Sequence, residues 1–334
     1  MHREIGGYLE LERFSGTLLH EKALALSSGR ACLSYLIQQR QIRKILLPDF
    51  LCDVVALACR RGGVKIRTYP VGEDLRPRTL RSGAEQAAPR HASPGAEPPL
   101  QPEEDEWLYL VNFYGQLSQE EIAAYAARFP RLILDNAQAY FAPPLPGVDT
   151  LYTCRKFLGV ADGGFLYTDA PPLNPKRDES HGRMGFVLGR FERPAGEFFP
   201  EASRNNDALG LEPMRMSLLT ENLLRAADEE TVRQKRTENF ARLHQALGGI
   251  NRLPLRPAEG AYAYPLLLPE GEKVRGALIA QKIFVPTLWP NVLSDPDAGD
   301  TARTLARSIL PLPCDQRYGA EEMAAVASAV LREL

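Results

Sequence analysis

Short apolar runs alternate with stretches of helical periodicity through the first 170 or so residues. The apolar runs predict strands at 44–49, 64–71, 106–114, 131–136, 149–154 and 163–169. Helices are predicted between them, and in the clearest one Ser118 and Glu121 form a capping-box pattern ahead of an alanine-rich run. Apolar strands separated by helices are typical of an α/β fold with a mostly parallel central sheet and helices on both faces. Ligands of such folds bind at the carboxyl ends of the strands.

The second half of the chain has a different pattern. Residues 211–247 have the spacing of helices, and the segments 260–269 and 283–290 are strand-like. A final helix is predicted at 319–334. We therefore predict a large domain at 1–240 and a small C-terminal α+β domain at 241–334.

Residues 78–105 interrupt the alternation with a segment rich in Pro, Ala, Glu and Ser that has almost no large apolar side chains. Such a segment cannot bury enough surface to offset the entropy lost on ordering. A strand-like pattern resumes at Trp107. We therefore predict a disordered surface insertion within the large domain and not a domain boundary.

Composition narrows the classes of partner. A formal net charge of −2 gives no electrostatic reason to expect nucleic acid or an anionic membrane as a partner. The chain has no signal-peptide pattern and no apolar stretch long enough for a transmembrane helix, so we expect a cytoplasmic protein. Its five cysteines are scattered without a C-x-x-C pair, which argues against a disulfide framework and a structural zinc site.

Polar residues that could bind an anion or a protonated ring follow two of the predicted strands. Ser28 and Gly29 precede a helical stretch, where backbone N–H groups favour a phosphate, although an ordinary N-cap has the same pattern. Asp135 ends a strand and is followed by Gln138. A carboxylate there can hold a protonated ring nitrogen by a charge-assisted hydrogen bond, or it can simply cap a helix.

A lysine follows the fifth predicted strand. Lys156 lies beside Arg155, and a cationic neighbour or partial desolvation makes a lysine a nucleophile able to form a Schiff base. A solitary lysine is usually a surface residue. Gly163 and Gly164 open the next strand, which indicates that the chain passes close to another group there.

These motifs together resemble a known family. The segment 110–142, which contains a strand, a Tyr-Gly-Gln turn, a helix and a D-x-A-Q motif, is similar over most of its length to the DegT/DnrJ/EryC1/StrS family of pyridoxal 5'-phosphate-dependent sugar aminotransferases. The spacing from Lys156 to the glycine pair and the Arg-Met-Ser turn at 215–217 resemble the same family. The resemblance is close between about 26 and 169, and it implies the PLP-dependent transferase fold type I.

The resemblance also implies roles for individual residues. Lys156 would form the Schiff base, Asp135 would hold the pyridine nitrogen, and Gln138 would lie near the ring hydroxyl. Other positions that match the cofactor site, at the phosphate or facing the same cleft, are Ser28, Gly29, Arg30 and Asn112.

Three positions depart from the family pattern. Where the family has an aromatic residue stacked on the cofactor, this chain has Cys52, with Phe50 two residues earlier. The serine expected five residues before the lysine is Leu151, so Tyr152 or Thr153 would take its place at the phosphate. The asparagine that reaches the partner subunit's phosphate falls on Pro213, so Asn205 or Asn206, in a predicted loop at 204–217, would substitute for it.

The function implied is transfer of an amino group from glutamate to a keto-sugar nucleotide, in the synthesis of amino sugars for surface polysaccharides, by a homodimer. One alternative is other PLP-dependent chemistry on an amino acid or a sugar. Another is a protein of this fold that binds without turnover. The related sugar dehydratases replace the lysine by histidine, and the lysine here argues against that reaction.

Overall fold

The computed structural model of the chain describes residues 5–78 and 102–334. Most of the predicted disordered insertion, namely residues 79–101, lies outside the described residues.

A mostly parallel sheet of seven strands forms the centre of the described structure. Its strands are β1 (Leu24–Leu26), β2 (Lys44–Pro48), β3 (Lys65–Tyr69), β4 (Glu106–Val111), β5 (Leu132–Asp135), β6 (Asp149–Thr153) and β7 (Gly164–Tyr167). They lie in the order β1-β7-β6-β5-β4-β2-β3. Strands β2 to β6 are parallel, and β7 is antiparallel to both of its neighbours. The six strands predicted from the sequence are confirmed, whereas the three-residue β1 was not predicted.

The helices are α1 (Gly29–Gln39), α2 (Asp53–Arg61), α3 (Gln119–Arg128), α4 (Gly185–Glu192), α5 (Ala195–Ala208), α6 (Leu218–Leu224), α7 (Glu229–Leu247), α8 (Gly271–Ala280), α9 (Asn291–Ser294), α10 (Asp300–Ser308) and α11 (Ala320–Leu331). The predicted capping box of α3 is present, since Ser118 Oγ accepts from the Glu121 amide and the Glu121 carboxylate accepts from the Ser118 amide.

Neighbouring residues along β6 and along β7 place their side chains in different hydrophobic cores. Leu151 and Leu166 belong to the core that contains α1, α2 and α3, whereas Tyr152 and Phe165 pack in a core with Leu224 of α6. Because neighbouring residues of a strand point to opposite faces, the two cores lie on opposite sides of the sheet. Helices therefore cover both faces, as the sequence predicts.

The C-terminal part contains the antiparallel pair β8 (Tyr264–Leu267) and β9 (Ile309–Leu312). Apolar residues of α7, α8 and α11 form a core with these two strands. The strand predicted at 283–290 is wrong, because that segment has no strand and β9 lies about twenty residues later. The domain boundary predicted at 240 and 241 falls within α7.

His20 is buried among aromatic rings on the α6 side of the sheet. Its ring centroid lies 4.8 Å from that of Tyr140 and 4.2 Å from that of Tyr152. Nε2 donates to the Tyr140 carbonyl at 2.9 Å, which leaves Nδ1 to accept from the Tyr167 hydroxyl at 3.2 Å. Burial lowers the pKa of His20 to about 4, so the imidazole is neutral near pH 7.

Candidate active site

The carboxyl ends of β4, β5 and β6 meet at one edge of the sheet. Asp135 is the last residue of β5, and in the ladder it lies between Val111 of β4 and Leu151 of β6. Thr153 ends β6, and Lys156 follows three residues later in a turn. Parallel pairing therefore brings the predicted lysine and carboxylate to the same edge.

The amino terminus of α1 reaches this edge as well. Leu26 of β1 pairs with Gly164 of β7, and α1 begins three residues after Leu26. Ser28 caps the helix, since its Oγ accepts from the Ala31 amide at 3.1 Å. The first amides of a helix have no carbonyl partner within it, so the amides of Gly29 and Arg30 are available to an anion.

The glycine pair permits a close approach of two segments. Gly163 has φ +127°, and its amide donates to the Ser27 carbonyl at 2.6 Å. A Cβ on Gly164 would lie 2.6 Å from the carbonyl carbon of Ser28. The start of β7 therefore lies directly against the backbone that begins α1, which explains the glycines noted in the sequence.

Lys156 is a cation in an unfavourable environment. Desolvation lowers its pKa, and Arg155 lowers the pKa further, whereas Asp135 and Cys52 oppose the change. The side chain of Lys156 is accessible to solvent and lines a cavity of about 670 Å³. Nζ lies 5.4 Å from the ring centroid of Tyr262, a residue of the C-terminal part that the sequence did not indicate.

Asp135 is buried and held at both oxygens. Oδ2 accepts from the Tyr109 hydroxyl at 2.8 Å, and Oδ1 accepts from the Ala137 amide at 2.8 Å. Desolvation raises the pKa of Asp135, and the positive charge of Lys156 opposes this effect. An ionised carboxylate has about four lone-pair sites, so it can still accept a further hydrogen bond from a ligand.

Gln138 has a fixed amide with an unused donor. Its Oε1 accepts from the Tyr114 amide at 2.9 Å, which sets the orientation of the side chain. Its Nε2 is buried without a hydrogen-bond partner among the described residues. A buried donor of this kind is expected to meet an acceptor on a ligand or a water.

Asn112 and Thr153, which the sequence predicts at the site, use their side chains for hydrogen bonds to other groups of the protein. Asn112 donates to Asn136 Oδ1 at 3.0 Å and accepts from the Leu117 amide at 2.9 Å, which links the turns after β4 and β5. The Thr153 hydroxyl donates to the Gly163 carbonyl at 2.9 Å. Its alternative, Tyr152, donates to the Ala142 carbonyl at 2.9 Å.

The side chain of Arg30 extends to the end of α5. Its guanidinium donates to the carbonyl oxygens of Leu209 and Asn206 and to Asn206 Oδ1, all at 2.8–2.9 Å. The loop predicted at 204–217 is wrong in its first part, because Asn205 and Asn206 lie in the last turn of α5. Asn205 is buried and donates to the Ala161 carbonyl of its own chain at 2.8 Å.

The two candidates for the stacking position have different surroundings. Phe50 is completely buried and packs against Phe113 and Trp289, with ring centroids 5.5 and 4.6 Å away. Cys52, at the N-cap of α2, is close enough for Lys156 to lower its pKa, although desolvation raises that pKa overall. Of the two, Cys52 lies beside the lysine and Phe50 belongs to the core.

Residues 5–78 and 102–334 contain no group of three or more His, Cys, Asp and Glu side chains placed to hold a metal ion. None of the helices formed by them is both long enough and apolar enough to cross a membrane.

The fold of this chain is similar to those of several solved aminotransferases. A DegT DnrJ EryC1 StrS aminotransferase from Brucella abortus is 13% identical, with 93% of this chain and 85% of that chain covered at a TM-score of 0.61. DesV from S. venezuelae, in complex with a ketimine intermediate, is 17% identical over 93% and 84% of the two chains, with a TM-score of 0.61.

A putative sugar aminotransferase from Streptococcus pneumoniae, in its PLP form, is 11% identical over 95% and 89% of the two chains, with a TM-score of 0.62. No model of a protein family matches the sequence, and no curated protein sequence matches it. At these identities the likeness is one of fold, and it extends over nearly the whole chain. The chain therefore has the fold of these aminotransferases, as the sequence predicts.

Proposed function

We propose that this chain is a pyridoxal 5'-phosphate-dependent aminotransferase of the DegT/DnrJ/EryC1/StrS type. The observation that carries the proposal is the pair formed by Lys156 and Asp135 at the carboxyl edge of the sheet. The two groups influence each other's pKa, and burial disfavours the charge of both. Perturbed titratable groups in a cavity are typical of catalytic sites. The similar solved structures are aminotransferases with the same fold.

The residues present fit the cofactor. The buried Nε2 of Gln138 is a donor without a partner, and it suits the ring hydroxyl oxygen. Asp135 has lone pairs left for a ring N–H, and the amides that begin α1 suit a phosphate. The close approach of Gly164 to Ser28 places the start of β7 against that helix terminus. Lys156 supplies the amine that would hold the cofactor covalently.

When bound, pyridoxal 5'-phosphate would supply an electron-withdrawing ring that stabilises negative charge on the substrate carbon. Asp135 would favour the protonated ring nitrogen through its charge. Lys156 has a lowered pKa, so a larger fraction of its amine is neutral at neutral pH than for an ordinary lysine. The neutral amine can take a proton from the donor's α-carbon and return one to the acceptor carbon.

For the substrates we propose glutamate as the donor and a keto-sugar nucleotide as the acceptor. The acceptor is supported by the structural similarity to sugar aminotransferases and by the cavity beside Lys156. The cavity wall contains Arg190, Phe284 and Tyr262. Such a mixture of cationic and aromatic groups suits a ligand that carries phosphate and ring moieties.

Absorbance spectroscopy of the purified protein tests the proposal. We expect a visible cofactor band that glutamate bleaches, and borohydride should fix the cofactor to Lys156 as found by peptide mass spectrometry. Lys156→Ala should lose both properties, whereas Lys235→Ala, which changes an exposed lysine of α7, should keep them. Recovery of the reduced adduct on another lysine would contradict the assignment.

We also propose that the protein works as a homodimer in the cytoplasm. The support for the dimer is three exposed large apolar side chains on α4 and α5, namely Leu188, Phe191 and Phe199. Exposed apolar surface of this kind is found at protein interfaces.

A further inference from the structure

Arg155 lines the cavity and forms no salt bridge with an acidic side chain of the described residues. Its Nε is buried and has no hydrogen-bond partner among the described residues. Within the described part of the chain the Arg155 side chain makes one hydrogen bond, a long one of 3.5 Å from Nη2 to Asn206 Oδ1. Desolvation lowers its pKa to about 10, and the positive charges of Arg30 and Arg183 lower it too, whereas Cys154 and Asp162 oppose the change.

Arg30 holds a second guanidinium close to Arg155. Asn206 Oδ1 accepts from Arg30 at 2.8 Å and is the same atom that Arg155 approaches at 3.5 Å. Arg30 is also the second residue of α1, so the pair lies near the helix terminus with unpaired amides. Two close guanidinium groups repel each other, and an anion between them and the helix terminus would relieve that repulsion.

The expected hydroxyl donors for a phosphate are engaged elsewhere. The hydroxyl hydrogens of Thr153 and Tyr152 both go to backbone carbonyls, and Leu151 occupies the position where a serine was expected. Arg155, by contrast, retains an unused donor at its buried Nε. A guanidinium suits phosphate because its donors match two phosphate oxygens at once.

We propose that Arg155 binds the phosphate group of the cofactor, with Arg30 and Asn206 as positioning residues. The inference rests on the proposed function, since it assigns a residue to the phosphate of that same cofactor. The phosphate site of this chain is then arginine-based, with the helix amides of Gly29 and Arg30 and the guanidinium of Arg155 as its donors.

Binding of two forms of the cofactor to the cofactor-free full-length chain tests this inference. The dissociation constants of pyridoxal 5'-phosphate and of pyridoxal, which lacks the phosphate, are measured by absorbance titration. Loss of one charge-assisted bidentate contact is worth about 1.5–3 kcal/mol, or roughly 10- to 100-fold in affinity. Arg155→Gln should weaken the binding of pyridoxal 5'-phosphate by that factor and should change the dissociation constant of pyridoxal by no more than about twofold. Arg155→Lys should have an intermediate effect, because lysine keeps the positive charge but cannot donate two parallel hydrogen bonds to the phosphate.

Arg60→Gln is the matched control, because Arg60 is an exposed arginine in the last turn of α2 that does not line the cavity. It should leave both dissociation constants unchanged. Equal weakening of both ligands by Arg155→Gln, or of neither, would overturn the inference. A raised KM for the donor or the sugar with unchanged cofactor affinity would overturn it too, and would assign Arg155 to the substrate. If the unaltered protein binds no cofactor at Lys156, the proposed function itself fails.

Discussion

Burial acts on Lys156 and Asp135 in opposite directions, because each group loses hydration of its charged form. The pKa of the lysine is lowered and that of the aspartate is raised, and their mutual attraction opposes both changes. Arg155 adds to the effect on Lys156. Arg155, the neighbour of Lys156 in sequence, thereby favours the neutral form of the amine, while the Asp135 carboxylate retains lone pairs for a further hydrogen bond.

Asp135→Asn should reduce turnover much more than cofactor affinity. The amide keeps the size of the side chain but removes the charge that favours a protonated ring nitrogen. We expect turnover to fall by about two to three orders of magnitude, as when a single electrostatic group is removed from an active site. Steady-state kinetics and an absorbance titration measure the two quantities.

Tyr109→Phe is the matched control for that change. It removes the 2.8 Å hydrogen bond to Asp135 but leaves the carboxylate charged, so its turnover should fall less. Turnover of Asp135→Asn equal to that of the unaltered protein would remove Asp135 from its proposed role.

His20 should make the protein less stable in mild acid. The folded imidazole takes up a proton only near pH 4, whereas in the unfolded chain it does so near 6.5. Between these values the unfolded state binds more protons, so the free energy of unfolding falls as the pH is lowered through this interval. The difference between the two pKa values corresponds to a contribution of about 3 kcal/mol to the free energy of unfolding. This contribution is fully present above pH 6.5 and is lost as the pH falls towards 4.

Urea unfolding at pH 7.5 and at pH 4.5 measures this dependence. His20→Gln should remove most of the contribution, whereas His181→Gln, which changes an exposed histidine, should leave the difference between the two pH values unchanged. The same pH dependence in all three proteins would show that His20 is not the responsible group.

At the scale of elements, the sequence predicted those whose pattern is set by local periodicity. Strands β2 to β7 contain enough apolar residues to be recognised, and the capping box of α3 marks its start. The three-residue β1 is too short to show a period. The strand predicted at 283–290 is wrong because Trp289 has φ +61°, which a strand does not adopt. Trp289 instead packs against Phe50 and Phe113 from a loop, so the apolar character of the segment reflects core packing and not strand pairing.

Gly164→Ala should destabilise the contact between β7 and α1. The added Cβ would lie 2.6 Å from the carbonyl carbon of Ser28 and 3.0 Å from the Gly29 amide nitrogen, and neither backbone atom can move without shifting the helix terminus. We expect a loss of about 1–3 kcal/mol in the free energy of unfolding. The affinity for the cofactor should fall as well.

Gly276→Ala should have the opposite effect on stability. Gly276 lies within α8, and a Cβ there meets no atom within 4 Å. Alanine in a helix interior is favoured over glycine by roughly 0.5–1 kcal/mol. Denaturant unfolding of both variants gives the comparison, and an equal response of the two would contradict the close approach at Gly164.

At the scale of the whole molecule, the sequence indicated which strand ends carry candidate site residues but not which side chains remain free. Lys156, Asp135 and Gln138 could be proposed because they lie at or just after the ends of apolar strands with a recognisable spacing. The engagement of Thr153 and Asn112, and the position of Tyr262 beside Lys156, depend on contacts between segments far apart in the chain. Local sequence patterns contain no record of such contacts.

The quaternary structure should depend on the apolar surface of α4 and α5. Leu188, Phe191 and Phe199 are 65%, 94% and 73% exposed, and α4 also lines the cavity beside Lys156. A symmetric interface uses the same surface on both copies, so one substitution introduces two charges into it. Phe191→Asp should therefore shift the protein towards the monomer, as measured by size-exclusion chromatography with light scattering. Leu57→Asp, on the exposed side of α2, should leave the dimer intact. A monomeric unaltered protein at working concentration, or equal dimer content in the two variants, would show that this surface is not the interface.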